Sequence, residues 1–230
     1  MAQKIVIVLG CGPNIGTSTV KTFRADGYKV AYASRKSDEN ASDDMTLALR
    51  CDLSQSKSVE ELFETVRQKW GEPSVVVHNG YAHYATKPEE SFNIPTETFE
   101  EQLAINSTSV FLAIREMVAG SAKLAGPKTF IFTGNQSNEG GVPGWLSLGV
   151  GKVSSAYMIE LADNVYREQD FRFHFVDERT PKGKPMFVGL GGQAHADMFL
   201  SLAEREVELP WLVTFVSGKG YVEFPRKLIL

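Results

Sequence analysis

The sequence predicts an α/β domain: a doubly wound parallel sheet of about seven strands with helices on both faces, three layers in all. Three observations predict it. Short β-branched runs such as Ile5-Val6-Ile7-Val8-Leu9, and Val75-Val76-Val77 within Ser74 to His78, do not alternate with polar residues, as in strands covered on both faces. Longer segments with apolar residues at helical spacing alternate with them. A glycine-rich turn, Gly10-Cys11-Gly12-Pro13-Asn14-Ile15-Gly16, joins the first run to the first of these helices.

Ile15, Val20 and Phe23 share a face of the first helix, and Asp26-Gly27 ends it. Lys29-Val30-Ala31-Tyr32-Ala33 is the second strand, followed by Ser34-Arg35-Lys36 and a polar loop from Ser37 to Asp44. Leu47 to Cys51 is a short third strand that runs into Asp52-Leu53. A helix from about Lys57 to Lys69 carries Val59, Leu62, Phe63 and Val66 on one side, and Gly71 and Pro73 stop it. The fourth strand enters Asn79-Gly80-Tyr81. After Pro88 and Pro95, one long helix from about Glu97 to Ala119 presents Phe99, Leu103, Val110, Ile114 and Met117.

Lys128 to Gly134 is the fifth strand. The next helix begins near Leu146, with Val150, Val153, Tyr157, Leu161 and Val165 as its expected buried stripe. Phe171 to Val176 is the sixth strand, partly alternating because of Arg172 and His174. Asp177 to Gly192 reads as a long loop and Ala194 to Glu206 as a helix. Trp211 to Val216 is the last full strand, after which Gly218-Lys219-Gly220 turns the chain into Tyr221-Val222-Glu223-Phe224.

At 230 residues the chain reads as a single domain over 1–230. A net charge of −4 gives no reason to expect nucleic acid or an anionic membrane as partner. No apolar run approaches a membrane span. Met1-Ala2-Gln3-Lys4 leads straight into a strand, without the pattern of a signal peptide. Cys11 and Cys51 are not expected to pair, which fits a reducing, cytoplasmic setting. The four histidines show no metal-ligand spacing, His195-Ala196-Asp197 coming nearest, so no metal is expected. No Gly-x-Ser-x-Gly elbow suggests a hydrolase.

Strand, glycine loop and helix in that order form a phosphate-binding unit. Glycines let the backbone turn tightly and approach a pyrophosphate, and free N–H groups at the helix start receive its charge. The plain alternative is a tight turn that binds nothing. An NAD site usually carries an acidic residue at the end of the second strand. Here Ser34-Arg35-Lys36 follows instead, and a guanidinium fork suits a 2′-phosphate, so NADP(H) is expected over NAD(H). A solvated basic turn is the alternative.

These features together resemble the short-chain dehydrogenase/reductase family, and the resemblance implies a Rossmann-like fold. Gly10 and Gly16 match the first and third glycines of its Gly-x-x-x-Gly-x-Gly opening. Asn14 replaces the second, a mild change if the position is left-handed. Asp52-Leu53 matches the acidic pair near the adenine, and Asn79-Gly80 lies in the segment after the fourth strand. Gly12 and Ile15 complete the implied cofactor loop. Asn106 matches the family's helix-borne Asn, which interrupts its helix and holds a relay water. Lys152 matches the Lys of Tyr-x-x-x-Lys, which in the family also bonds the nicotinamide ribose.

The position four before Lys152 is Leu148, and no register shift brings a Tyr there, since Tyr157 lies five after. The family's Ser falls at Asn135, an amide that still donates to an oxyanion; shifts of one or two give Gln136 or Ser137. Gly10-Cys11-Gly12-Pro13 is similar to a Gly-x-Gly-Pro subset of the family in which the Tyr position is often not Tyr. Tyr81, His83 and Tyr84 follow the fourth strand, where ligands of such sheets bind. Tyr81, His83 or Tyr84 could reach the substrate as acid or base, His83 being favoured because its ordinary pKa lies near neutrality; the alternative is loop aromatics that pack the pocket wall.

The resemblance implies an NADP(H)-dependent oxidoreductase for a small carbonyl or alcohol, with residues 178–206 covering the substrate and a homodimer or homotetramer as the assembly. Its alternatives are a non-redox isomerase, cyclase or dehydratase, or a non-catalytic dinucleotide-binding protein.

Overall fold

The computed structural model describes residues 3–225, so Met1, Ala2 and residues 226–230 lie outside the described part of the domain. The strands and helices run β1 (Ile5–Leu9), α1 (Ile15–Ala25), β2 (Lys29–Ser34), β3 (Thr46–Arg50), α2 (Ser56–Trp70), β4 (Val75–His78), α3 (Thr96–Leu103), α4 (Ser109–Ser121), β5 (Lys128–Thr133), α5 (Leu146–Tyr166), β6 (Phe171–Glu178), α6 (Gly192–Glu204), β7 (Leu212–Val216) and β8 (Gly220–Tyr221).

The sheet has eight strands in the order β3-β2-β1-β4-β5-β6-β7-β8. All pairs are parallel except β7 with β8. The eighth strand, two residues long, is the one the expectation of about seven did not count. The fold class is the Rossmann-like α/β sheet expected.

Alternate residues of β1 feed two cores. Ile5, Ile7 and Leu9 join Val59, Phe63, Met117 and Ile159 under α2, α4 and α5. Val6 and Val8 join Phe23, Phe199 and Leu202 under α1 and α6. Both faces are covered, which is why the strands read as unbroken apolar runs. His174 stays inside β6 because its Nδ1–H reaches the carbonyl of Pro210 at 3.0 Å. Strand order reverses between β1 and β4, and that places a crevice beyond their carboxyl ends.

Four expectations are corrected. The helix expected from Glu97 to Ala119 is two helices joined by a π-helical turn at Ala104–Thr108. Val150, Val153, Tyr157, Leu161 and Val165 are exposed, Tyr157 at 68%. The buried side of α5 is instead Leu148, Gly151, Lys152, Ser155, Ala156 and Ile159. Small residues there let α5 approach the π turn: a Cβ on Gly151 would stand 2.4 Å from Cβ of Asn106. Third, β6 continues through Asp177 and Glu178, so the long loop begins at Arg179. Fourth, Asn14 is not left-handed, with φ −101° and ψ −92°.

Candidate functional site

The crevice is a cleft of about 550 Å³. Ten of the residues singled out in the sequence line it: Gly10 and Gly12 from the turn after β1, Ser34 and Arg35 after β2, Asp52 and Leu53 after β3, and Asn79, Gly80, Tyr81 and His83 after β4. Gly10 has φ +78°, and a Cβ there would stand 2.3 Å from the Cα of Gly80. Gly80 in turn abuts the Leu53 side chain. Asn79 ties the floor together. Its amide donates to the carbonyl of Gly10 at 2.9 Å, and its oxygen accepts from the Thr133 hydroxyl at 2.9 Å.

Ser37 braces the basic turn. Its hydroxyl accepts from the Ser34 N–H at 3.0 Å and lies 3.0 Å from the Ser34 hydroxyl. Arg35 and Lys36 are exposed, and only Arg35 lines the cleft. A third cation joins them: Arg50, at the end of β3, donates to the carbonyl of Ser37 at 3.4 Å. The sequence signal for Arg50 was its place at the end of the neighbouring strand. Asp52 accepts from the N–H and hydroxyl of Ser54 at 3.0 and 2.8 Å, so its carboxylate is held by its own loop.

Ile15 and Gly16 are buried at the start of α1 and do not line the cleft. Gly16 is needed because a Cβ there would stand 2.7 Å from the Cα of Cys11. Asn14 faces the other way. Its amide donates to the Leu190 carbonyl at 3.0 Å, and its Oδ1 fills the space beside Gly192, so it clamps the segment leading into α6 against the glycine turn.

The proposed proton-handling residues do not come together in this cleft. The amide of Asn106 is tied to the loop after β4 at both ends: it accepts from the N–H of Ala82 and donates to the carbonyl of Ala82, both at 2.8 Å. Its own carbonyl accepts from the Ser155 hydroxyl at 2.9 Å. The π turn therefore fixes the loop after β4, and Gln102 helps, its oxygen accepting from Tyr84 N–H at 3.0 Å and from the Ser147 hydroxyl at 2.5 Å. Nothing in the sequence marked Gln102 for this. Asn135 caps the turn after β5, accepting from the Ser137 N–H at 3.0 Å.

Lys152 is buried, 5% exposed, and donates to the carbonyl of Thr133 at 2.7 Å, with its ammonium 4.3 Å from the centre of the Phe132 ring. Burial lowers its pKa to about 7, against the pull of Asp177 toward the charged form. Leu148, one turn earlier, is 4% exposed and offers no proton. Tyr81 is mostly exposed. Burial lowers the pKa of His83, whose ring packs 4.9 Å from that of Trp145. Trp145 packs in turn against Phe187 at 4.6 Å. A larger cavity, about 900 Å³, runs along the outer side of α5 past Trp145, Val150, Tyr157 and Trp211. The glycine turn does not line it, and Lys152 lines neither cavity. Among the described residues no group of His, Cys, Asp and Glu could hold a metal ion, and no helix is long and apolar enough to cross a membrane.

Known proteins share this arrangement. A family model described as Enoyl-(Acyl carrier protein) reductase matches residues 10–176. A short chain dehydrogenase/reductase of Cryptosporiopsis sp. (strain 8999), dmxR12, is 40% identical over 98% of this chain and 96% of its own length. A metagenomic short-chain oxidoreductase in complex with NADP superimposes with a TM-score of 0.81 at 16% identity, over 94% of this chain and 98% of that one. A mutant short-chain dehydrogenase/reductase of Serratia marcescens does so with a TM-score of 0.78 at 16% identity, over 94% and 97%. A glycine turn locked against Gly80, a cleft at the strand-order reversal and a near full-length relative agree: the chain belongs to the short-chain dehydrogenase/reductase family.

Proposed function

We propose that the protein is an NADP(H)-dependent oxidoreductase acting on a small carbonyl or alcohol, with a proton route other than the family's phenol. The observation that carries this reading is the cleft where Gly10, Arg35, Asp52 and Gly80 converge. These residues fit a dinucleotide: the backbone lies bare where Gly10 meets Gly80, and an exposed guanidinium lines the rim where no acidic residue follows β2. The NADP complex of the metagenomic relative supports the same cofactor class. Bound NADPH supplies a hydride to a carbonyl carbon. Gly10 and Gly12 would hold the pyrophosphate, with the N–H groups of Ile15 and Gly16 at the start of α1 behind them; Asp52, Leu53, Asn79 and Gly80 would seat the adenosine half; Ser34 and Arg35, with Lys36 beside them, would meet the 2′-phosphate.

NADPH is then expected to bind tighter than NADH. A charged contact from Arg35 contributes roughly 1.5–3 kcal/mol, about ten- to a hundredfold in affinity. Arg35→Ala should erase most of that preference in a fluorescence titration. Equal affinity of the unmodified protein for both cofactors would overturn it.

Leu148 stands where the family has its phenol, so carbonyl reduction is expected to be slow. Proton delivery falls to Lys152, aided by Asn135 as an amide donor and by His83 and Tyr81 on the neighbouring loop. Asn106 contributes by holding that loop rather than through a free amide. The test is NADPH oxidation with an activated ketone or quinone by the wild type and by Leu148→Tyr, Lys152→Ala and His83→Ala. Leu148→Tyr should raise the rate, up to the about 10²- to 10⁴-fold that a placed general acid supplies. Fast wild-type turnover, insensitive to all three changes, would put the chemistry elsewhere. Leu148 also favours a second reading, a non-redox isomerase, cyclase or dehydratase, or a non-catalytic binder. No turnover in any variant, with NADPH still bound, selects it.

Of residues 178–206, Glu178 closes β6 and α6 packs with α1 over the second core, so the loop 179–191, held at Leu190 by Asn14, is the part proposed to cover the substrate. The assembly is proposed to be a homodimer or homotetramer, in keeping with a cytoplasmic enzyme. Its support is the outward apolar face of α4 and α5: Phe111, half exposed, beside Leu161 and Val165, with Val153 and Tyr157 further along. Isologous pairing of that face would bury it. Light scattering at micromolar concentration should give a multiple of the 25.4 kDa chain mass, and the chain mass itself would rule the assembly out.

A further inference from the structure

One buried charge cluster has no part in the reading above. Arg179, the first residue after β6, is 2% exposed, and each of its three guanidinium nitrogens donates a hydrogen bond. Nε donates to Asp177 at 2.5 Å, Nη2 to Glu139 at 3.2 Å and Nη1 to the carbonyl of Gly183 at 3.3 Å. The side chain of Asp177 is also buried, and that of Glu139 is 9% exposed. A clamp of this kind fixes the Asp177 carboxylate in one orientation, since the planar fork admits little rotation.

The clamp sits beside Lys152. Thr133, whose carbonyl accepts from the lysine ammonium, pairs in register with Val176, and Asp177 is the next residue of that strand. Gly134 closes the same corner, its N–H reaching the carbonyl of Val176 at 2.7 Å. Among the described residues no carboxylate lies within 4 Å of the Lys152 ammonium, and its one hydrogen bond is to a neutral carbonyl. A buried ammonium in that position loses its proton unless a negative charge stands nearby. The other groups packed around the corner do not supply one. His78 on β4 is kept neutral, its pKa lowered to about 3 by burial and by the charge of Lys152. Glu139 is bound to Arg179, and Arg179 is itself a cation.

We propose that Asp177, clamped by Arg179 and indirectly by Glu139, is the positioning residue that favours the protonated form of Lys152 against its burial. The cluster of Lys152, Arg179, Asp177 and Glu139 is neutral as a whole, which is how four charges can share a dry corner. Where the oxidoreductase reading holds, Asp177 keeps on Lys152 the proton that the carbonyl oxygen takes up as hydride reaches carbon. Burial and Asp177 act on Lys152 in opposite directions, and burial and Arg179 do the same on Asp177, whose pKa rises to about 6.

The test is a titration of the Lys152 ammonium in the intact protein. Lysine is labelled with nitrogen-15 at Nζ, and the Lys152 signal is assigned by its loss in Lys152→Met. The wild type is expected to titrate near 7. Asp177→Asn keeps the shape and an acceptor for Arg179 but removes the charge, and it should lower the midpoint by at least one pH unit. Glu139→Gln, further from the lysine and on a loop, should lower it by less, and it serves if Asp177→Asn does not fold. In turnover, the pH profile of kcat should shift with the same sign while KM for NADPH stays within twofold. An unchanged Lys152 midpoint in both variants overturns the proposal. Because the titration needs no substrate, absence of carbonyl reduction would remove the oxidoreductase reading and leave the Asp177 result standing.

Discussion

Gly10→Ala is expected to destabilise the protein by about 2–5 kcal/mol and to abolish cofactor binding. Two costs add. Gly10 has φ +78°, a region that costs an L-residue roughly 1–2 kcal/mol. Its new methyl would also stand 2.3 Å from the Cα and 2.4 Å from the N of Gly80, and 2.9 Å from the carbonyl carbon of Asn79. Those are backbone atoms, so no rotamer change relieves the clash, and overpacking of this kind costs about 1–3 kcal/mol. Relief requires β1 and β4 to part at their carboxyl ends, where Asn79 donates to Gly10 and receives the Thr133 hydroxyl. The cleft opens there, so affinity fails together with stability. Gly12→Ala is the matched control: φ at Gly12 is not positive, and no heavy atom lies within 4 Å of its Cβ. Its melting temperature should stay within about 2 °C of wild type, while Gly10→Ala should lose about 10 °C. Any affinity lost in Gly12→Ala then reports how closely a cofactor approaches the turn. A Gly10→Ala protein as stable as Gly12→Ala would refute the account of this crossing.

The same crossing shows what was legible in the sequence. Strands apolar on both sides and a glycine turn before a helix are local signals, and they placed β1 to β6, α1, α2 and most of the cleft. The face of α5 was misread because an exposed apolar stripe and a buried one look alike in one dimension; Val153 and Tyr157 repeat at helical spacing whether a core or a second subunit receives them. The true inner face of α5 is small and polar, with Gly151, Lys152 and Ser155, because the π turn presses against it. The position of Asn106 was legible, and its partner was not: Ala82 lies 24 residues away, across a loop without a pattern of its own. Arg179 and Asp177 read as polar loop residues because charge is the usual mark of exposure. Their partner Glu139 comes from the loop after β5, and only the sheet brings the two together.

Stability is expected to fall by about 4 kcal/mol between pH 7 and pH 5, through three buried histidines. His78, His174 and His195 are each at most 3% exposed. Burial lowers their pKa values to about 3, 4 and 4. His174 is held neutral with its Nδ1 proton on Pro210, and His78 lies 2.8 Å from the Ser109 hydroxyl, which is committed to the Ile105 carbonyl. In the unfolded chain each titrates near 6.5. Between that value and the folded one, the unfolded state binds a proton that the folded state refuses. The stability they provide is therefore complete above pH 6.5 and is lost as pH falls toward 4. At pH 5 each has lost about 2 kcal/mol, roughly 6 kcal/mol together. Asp177 works in the opposite direction. Its pKa is raised to about 6, so between 6 and 3.8 the folded state binds the extra proton and regains about 1.4 kcal/mol by pH 5. The histidines outnumber it, and the net is a loss. For a chain of 230 residues this corresponds to a melting temperature lower by about 10 °C at pH 5 than at pH 7. His174→Asn, which keeps a donor for Pro210 and cannot titrate, should remove about a third of the histidine contribution to the slope. Thermal melts at half-unit steps measure it, and a wild-type melting temperature flat from pH 7 to pH 5 would mean that these rings are charged or solvated in the fold.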